Sequence, residues 1–269
     1  MLEDRDYMRE PEYMGFHWKY PMTFILMGIN LIVFVFNEIC TAYFPNLGSD
    51  VGYYCAISAH GIGSGYVWQF LTFQFMHFGR WHFFGNMLGL FFLGRLIEER
   101  IGPKRLLFFY LACGVFGGIL QVLLGFLFPH TFGSPTVGAS AGVFGLLAAW
   151  AAFEPYGVTL LFFILPMRNI HLLWLCGIVA VFYILVPAEP GIAHGAHLGG
   201  MLAGWYGTKK ILMGEWSGFF DRFRPSSRAV ALREREGKVK ALPGKVEVLE
   251  DDVDVILDKI SARGMNSLT

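Results

Sequence analysis

Long apolar segments recur through the first 213 residues of this chain, and they constrain its fold more than any other feature. A helix needs about 20 mostly apolar residues to cross the hydrocarbon layer of a bilayer. The composition agrees with this pattern, because 55% of the residues are hydrophobic and only 16% are charged. The sequence therefore predicts an all-α membrane protein.

We predict six membrane-spanning helices, near residues 21–43, 81–98, 106–128, 137–153, 170–186 and 192–212. The first follows a charged, aromatic tail without a small-residue cleavage site, so we expect a retained helix and not a removed signal peptide. The apolar segment 158–166 is separated from the fifth span by Pro166, Arg168 and Asn169. We expect it to form a shallow excursion on the cytoplasmic side instead of a seventh span.

The distribution of Lys and Arg predicts that both termini are cytoplasmic, since positive charge is retained on that side. The loops at 44–80, 129–136 and 187–191 contain no Lys or Arg except Arg80. The basic residues near span ends on the other side are Arg5, Arg9, Lys19, Arg95, Arg100, Lys104, Arg105, Arg168, Lys209 and Lys210. The aromatic loop 44–80 is expected to lie in the headgroup zone.

Polar residues fall near the outer ends of three predicted spans: His82 with Asn86, Ser140, and His197. Unpaired polar groups are costly in hydrocarbon, so we expect these residues to line a water-accessible cavity open to the outside. His82 and Asn86 are one helical turn apart and share a face, which suits two donors to one oxyanion. The N–H of Ser140, near a helix N-terminus, would add a third donor.

His197 is then expected to accept the Ser140 proton and return it to a leaving amine. No Asp or Glu lies at matching depth, so we predict a dyad. Gly200 and Gly204 follow His197 on one helix face, and a stripe of small residues follows Ser140: Ala141, Gly145 and Ala149. Such stripes let helices pack closely in lipid. Phe144, one turn after Ser140, is expected to cover the imidazole.

Together these residues resemble the rhomboid family of intramembrane serine proteases over essentially all six spans. The matching segments are His82-Phe83-Phe84-Gly85-Asn86, Gly138-Ala139-Ser140-Ala141, and Ala196-His197 before Gly200 and Gly204. The resemblance implies that Ser140 is the nucleophile, that His197 is the general base, and that His82, Asn86 and the Ser140 amide form the oxyanion hole. It also implies supporting roles for Gly138, Phe144, His77, Gly200 and Gly204.

By the same resemblance, the protein would cleave transmembrane segments of membrane proteins, single-pass or multi-pass, that enter laterally past spans two and five. It would use an acyl-enzyme and no metal or cofactor. The sequence departs from the family pattern at two positions. Ala141 replaces the usual second glycine, which we expect to narrow the pocket, and Gln69 replaces an arginine after Trp68, which we expect to alter loop mobility or substrate preference.

Other functions fit the sequence less well. A soluble hydrolase with a Gly-x-Ser-x-Gly elbow would need an alternating sheet pattern around the serine. A zinc site built from His77, His82, His194 and His197 would lack the His-Glu-x-x-His signature, and a transporter would be expected to show an internal repeat. The main alternative is a rhomboid-like protein that binds or escorts client helices without cutting them.

We divide the chain into an N-terminal cytoplasmic tail (1–20), the six-helix region (21–213) and a charged C-terminal tail (214–269). Val253, Ile256, Leu257 and Ile260 share one helical face, which predicts a short amphipathic helix at 252–262 with an unknown partner or none. We expect no nucleic-acid partner. A bacterial inner membrane is the expected location, and Cys40 and Cys55 are candidates for a disulfide.

Overall fold

The computed structural model describes residues 19–161, 164–187 and 192–212. Its helices, in chain order, are α1 (Pro21–Tyr43), α2 (Pro45–Cys55), α3 (Ala59–Gly63), α4 (Gln69–Thr72), α5 (Arg80–Gly89), α6 (Arg95–Ile101), α7 (Pro103–Leu127), α8 (Pro129–Phe132), α9 (Ser140–Phe153), α10 (Asn169–Leu185) and α11 (His194–Gly207). Two strands, β1 (Val158–Leu161) and β2 (Leu165–Arg168), lie between α9 and α10. The predicted tail 214–269, its helix at 252–262 and most of the tail 1–20 lie outside the described residues.

Helices occupy all six ranges that the apolar pattern predicts. The second range holds α5 and α6, joined by a wider π-helical turn at Leu90–Gly94. By length and composition, α1 and α7 are able to cross a membrane, whereas α9 and α10 are shorter apolar helices. The number of membrane crossings stays a prediction.

The N-terminus of α1 is capped by an acidic side chain from α6. The buried carboxylate of Glu98 accepts hydrogen bonds from Met22 N (2.9 Å), Thr23 N (2.8 Å) and Thr23 Oγ1 (2.6 Å). The first N–H groups of a helix have no partner within it, and a negative charge there is favourable. The cap thus gives the buried Glu98 carboxylate hydrogen-bond partners and ties α6 to the start of α1.

The centre of the fold is the crossing of α7, α9 and α11, where glycines bring backbones together. A Cβ added at Gly200 of α11 would lie 2.9 Å from the carbonyl carbon of Ala141 in α9. One added at Gly204 would lie 2.7 Å from the Cα of Gly145. One added at Gly199 would lie 2.8 Å from a carbonyl oxygen of α7. Small residues therefore set the distance between the helices that carry Ser140 and His197.

The predicted excursion at 158–166 is a β-hairpin, which the all-α prediction omitted. Strands β1 and β2 pair antiparallel, with Val158 opposite Arg168 and Leu161 opposite Leu165. Asn169 fixes the hairpin to the end of α9, because its Nδ2 donates to the Glu154 carbonyl oxygen (2.7 Å). The mostly helical character of the chain is otherwise as predicted.

The loop 44–80 folds around the buried side chain of Gln69. Its Nε2 donates to the carbonyl oxygens of Tyr53 (3.1 Å) and Tyr54 (3.4 Å), and its Oε1 accepts from Ser58 N (3.3 Å). The Gln69 amide is therefore bonded at both ends, and the expected change in loop mobility or substrate preference stays a prediction. The proposed pairing of Cys40 with Cys55 is wrong in this structure: both thiols are free, and Cys40 is buried within α1.

Candidate active site

Ser140 is the first residue of α9, and the two residues before it are held by the loop 44–80. Gly138 N donates to the carbonyl oxygen of Phe73 (2.8 Å), and Ala139 N donates to His77 Nε2 (3.3 Å). Gly138 has φ +132°, a conformation that residues with a Cβ rarely adopt. The fourth predicted span therefore begins as a tight loop, and its helix starts three residues later than expected, at the serine itself.

The imidazole of His197 lies beside the hydroxyl of Ser140. The distance between His197 Nε2 and Ser140 Oγ is 2.8 Å, which is that of a hydrogen bond. When Nε2 is the unprotonated nitrogen, the hydroxyl donates to it, which is the arrangement required for a histidine to remove the serine proton. This contact joins α9 to α11 close to the point where Gly200 packs against the backbone of Ala141.

The methyl group of Ala141 lies on the side of α9 that faces α7. Ala141 is only 1% exposed. A Cβ added at Gly117 of α7 would lie 2.7 Å from the Cβ of Ala141. Our expectation that this methyl narrows the pocket is therefore wrong. The family motif showed that Ala141 is unusual at this position, but the direction of its side chain depends on how α7 packs against α9.

The structure brings His82 to the serine loop but shows Asn86 bonded within its own helix. A Cβ added at Gly138 would lie 2.7 Å from His82 Nε2, so this ring packs directly on the loop. The His82 ring also meets the His77 ring edge to face, with centroids 5.2 Å apart. Asn86 Nδ2 donates to the His82 carbonyl oxygen (2.9 Å). An amide in an apolar helix satisfies its donor in this way when no other acceptor is near.

Aromatic rings pack on the imidazole of His197 and continue away from it. The Phe144 ring is 4.5 Å from the His197 ring, centroid to centroid, and tilted by 37°. On another side the His194 ring lies edge to face at 5.8 Å, and the Tyr183 ring of α10 stacks on His194 at 4.7 Å and 16°. From the sequence we considered a role for His194 only as a zinc ligand. Tyr183 was not predicted, because no spacing distinguishes it from its apolar neighbours. In the described part of the chain, no three His, Cys, Asp or Glu residues are grouped to hold a metal ion.

Taken together, this arrangement suits attack by a hydroxyl on a carbonyl carbon. Ser140 Oγ has an adjacent base, and the Ser140 N–H lies at the N-terminus of a helix of 14 residues. Partial positive charge at that end favours an anion developing beside it. Ser140 itself is only half-buried.

Comparison with known proteins gives a family match. Residues 64–213 match the model described as Rhomboid domain. The chain is similar to RHOMBOID-like protein 1 of Arabidopsis thaliana (32% identity over 174 residues, 65% of this chain and 42% of that protein). It is also similar to Rhomboid protease GlpG of Enterobacter sp. (strain 638), with 27% identity over 188 residues, 68% of this chain and 60% of that protein.

A third similar protein carries a different description. Inactive RHOMBOID-like protein 8 of Arabidopsis thaliana is 31% identical over 83 residues, which are 31% of this chain and 22% of that protein. In all three cases the match spans less than two thirds of the relative's own length.

Proposed function

This chain belongs to the rhomboid family, and from that premise we propose that it is an intramembrane serine endopeptidase. The observation that carries the proposal is the 2.8 Å contact between Ser140 Oγ and His197 Nε2. A rhomboid-like protein without activity has no need for a nucleophile and a base held in contact. The resident chemistry needs no metal or cofactor, because the two side chains supply both nucleophile and proton acceptor.

The reaction begins when Ser140 Oγ attacks a peptide carbonyl carbon while His197 Nε2 takes the hydroxyl proton. Negative charge then develops on the carbonyl oxygen, which receives hydrogen bonds from the Ser140 N–H, His82 and Asn86. Asn86 Nδ2 carries two hydrogens, so one can donate to this oxygen while the other stays bonded to the His82 carbonyl oxygen, and such bonds commonly tighten only when substrate is bound. The C–N bond breaks as His197 protonates the amine, and water then hydrolyses the acyl-enzyme by the same route.

The protein is an integral membrane protein, as its family implies, and we propose six spans with both termini in the cytoplasm. Ser140 and His197 then lie toward the outer side. The substrates we propose are transmembrane segments of membrane proteins, which enter past α5 and α10. A stable helix keeps its carbonyls in its own hydrogen bonds, so a short or unstable helix is the expected substrate. The location we propose is a bacterial inner membrane.

The test is cleavage of a model transmembrane substrate by the full chain reconstituted in liposomes. Ser140→Ala and His197→Ala are each expected to lower the cleavage rate by at least about 10³-fold, because each removes half of the dyad. Ser134→Ala and His171→Ala are matched controls, since these exposed residues lie outside the site. Cleavage by Ser140→Ala at the wild-type rate would refute the proposed role of the serine.

The second candidate is a protein that binds client transmembrane helices without cutting them. The observation that favours it is the partial similarity to a relative described as inactive. It predicts that the folded wild type captures a transmembrane client with no cleavage product, and that Ser140→Ala captures the client equally well. Cleavage by the wild type that Ser140→Ala abolishes would exclude this function.

A further inference from the structure

Four aromatic rings on three helices form a continuous row that includes the proposed base, His197: Tyr183, His194, His197 and Phe144. We propose that His194, clamped by Tyr183, is a positioning residue that holds the imidazole of His197 toward Ser140 by ring packing. This inference rests on the proposed protease function. It gives a role to two residues that the dyad and the oxyanion hole do not use.

The base needs such support because, among the residues that the structure describes, no carboxylate is bonded to it. In a serine–histidine–aspartate triad the acid holds the imidazole in its tautomer and direction. Here the side-chain hydrogen bond that the structure describes for His197 is the one to Ser140. The ion pairs within the described residues involve other side chains: Lys19 with Glu99, Arg80 with Glu38, and Arg100 with Glu154. Contacts with neighbouring rings therefore have to fix the rotation of the imidazole.

The geometry supplies these contacts from two directions. Phe144 of α9 lies 4.5 Å from the His197 ring, and His194 meets that ring edge to face at 5.8 Å and 79°. Edge-to-face and offset contacts at 4.5–7 Å are the favoured arrangements of aromatic pairs. Positions three apart on a helix are neighbours on its surface, so His194 is placed beside His197 by α11 itself.

Tyr183 in turn fixes His194 from another helix. The Tyr183 ring is nearly parallel to the His194 ring, at 16° and 4.7 Å. Since His194 is the first residue of α11, it has no preceding helical turn to confine its side chain. The stack against α10 replaces that restraint. Because the contact is ring against ring, it depends on aromatic shape and not on the imidazole nitrogens.

Substitutions that keep or remove the rings test this inference. In the full chain, His194→Ala and Tyr183→Ala are expected to lower kcat for a model transmembrane substrate roughly ten- to hundredfold. KM is expected to stay within about twofold, because neither residue is proposed to bind substrate. His194→Phe and Tyr183→Phe keep a ring and are expected to stay within about threefold of wild type. His171→Ala is the matched control, an exposed histidine of α10.

Labelling by a serine-reactive fluorophosphonate and thermal unfolding are measured on the same samples. A folded His194→Ala that labels and cleaves at the wild-type rate would overturn the inference, as would a His194→Phe as slow as His194→Ala. A higher KM with unchanged kcat would overturn it too. These results all require an active wild type, whereas a wild type whose Ser140 is never labelled would defeat the proposed function itself, and this inference with it.

Discussion

At the residue scale, the geometry around Ser140 depends on Gly138. Its φ of +132° turns the chain into the start of α9, and its missing side chain leaves room for the His82 ring. The N–H of Gly138 is bonded to the Phe73 carbonyl oxygen at the same time. One glycine thus sets the direction of Ser140 and the position of the His82 ring.

Gly138→Ala is predicted to lower the rate of Ser140 labelling by at least about tenfold and the stability by about 1–3 kcal/mol. The reason is backbone strain combined with a Cβ that would lie 2.7 Å from His82 Nε2. Gly65→Ala is the matched control, because Gly65 has φ +91° but nothing within 4 Å of an added Cβ. If Gly138→Ala and Gly65→Ala were labelled at equal rates, the claim that Gly138 leaves necessary room for the His82 ring would be contradicted.

Residue types and spacing were enough to predict Ser140, His197 and the ring of Phe144 as neighbours. The directions of Ala141 and Gln69 were not predictable, since they depend on which helix or carbonyl packs against each side chain. The methyl of Ala141 lies against α7, and the Gln69 amide bonds carbonyls 15 and 16 residues before it in the sequence. Sequence spacing carries no information about contacts of that kind.

At the element scale, the contact between α9 and α11 determines whether His197 reaches Ser140. Gly200 and Gly204 lie against the backbone of Ala141 and Gly145. The sequence predicted this contact because small residues repeat every four positions on both helices. It did not predict the hairpin of β1 and β2, whose apolar residues fit a helix, a strand or an interfacial loop equally well.

Gly200→Ala is predicted to separate α9 from α11, destabilise the protein by about 1–3 kcal/mol and reduce Ser140 labelling. An added Cβ would lie 2.9 Å from the Ala141 carbonyl carbon, and backbone cannot move aside as a flexible side chain does. A Cβ added at Gly177 in α10 would meet nothing within 4 Å. Gly177→Ala is therefore expected to leave the stability unchanged or to raise it slightly. Thermal unfolding in one detergent compares the two, and a neutral Gly200→Ala would contradict the packing argument.

At the scale of the whole molecule, the membrane orientation decides which compartment the site faces. The basic residues on one side of the predicted spans imply cytoplasmic termini, and the loop 129–136 is then external. The orientation stays a prediction from charge. The family could be predicted from the sequence because its motifs are spread over several predicted spans.

Accessibility of single cysteines tests this orientation in intact bacterial cells. In a background in which Cys40, Cys55, Cys113 and Cys176 are replaced by serine or alanine, Ser134→Cys is predicted to react with an impermeant thiol reagent. Lys104→Cys is predicted to react only after permeabilisation. Both positions are exposed in the structure, so a difference between them reports the side of the membrane. The reverse pattern would invert the predicted topology.

The most direct measurement of the central claim is labelling of the detergent-purified protein by a serine-reactive fluorophosphonate, with the modified residue located by mass spectrometry. We predict that the label is on Ser140 and that it is lost in both Ser140→Ala and His197→Ala, because the hydroxyl is activated only through its 2.8 Å contact with His197 Nε2. A folded wild type that remains unlabelled, or a His197→Ala variant that labels as fast as wild type, would contradict the account.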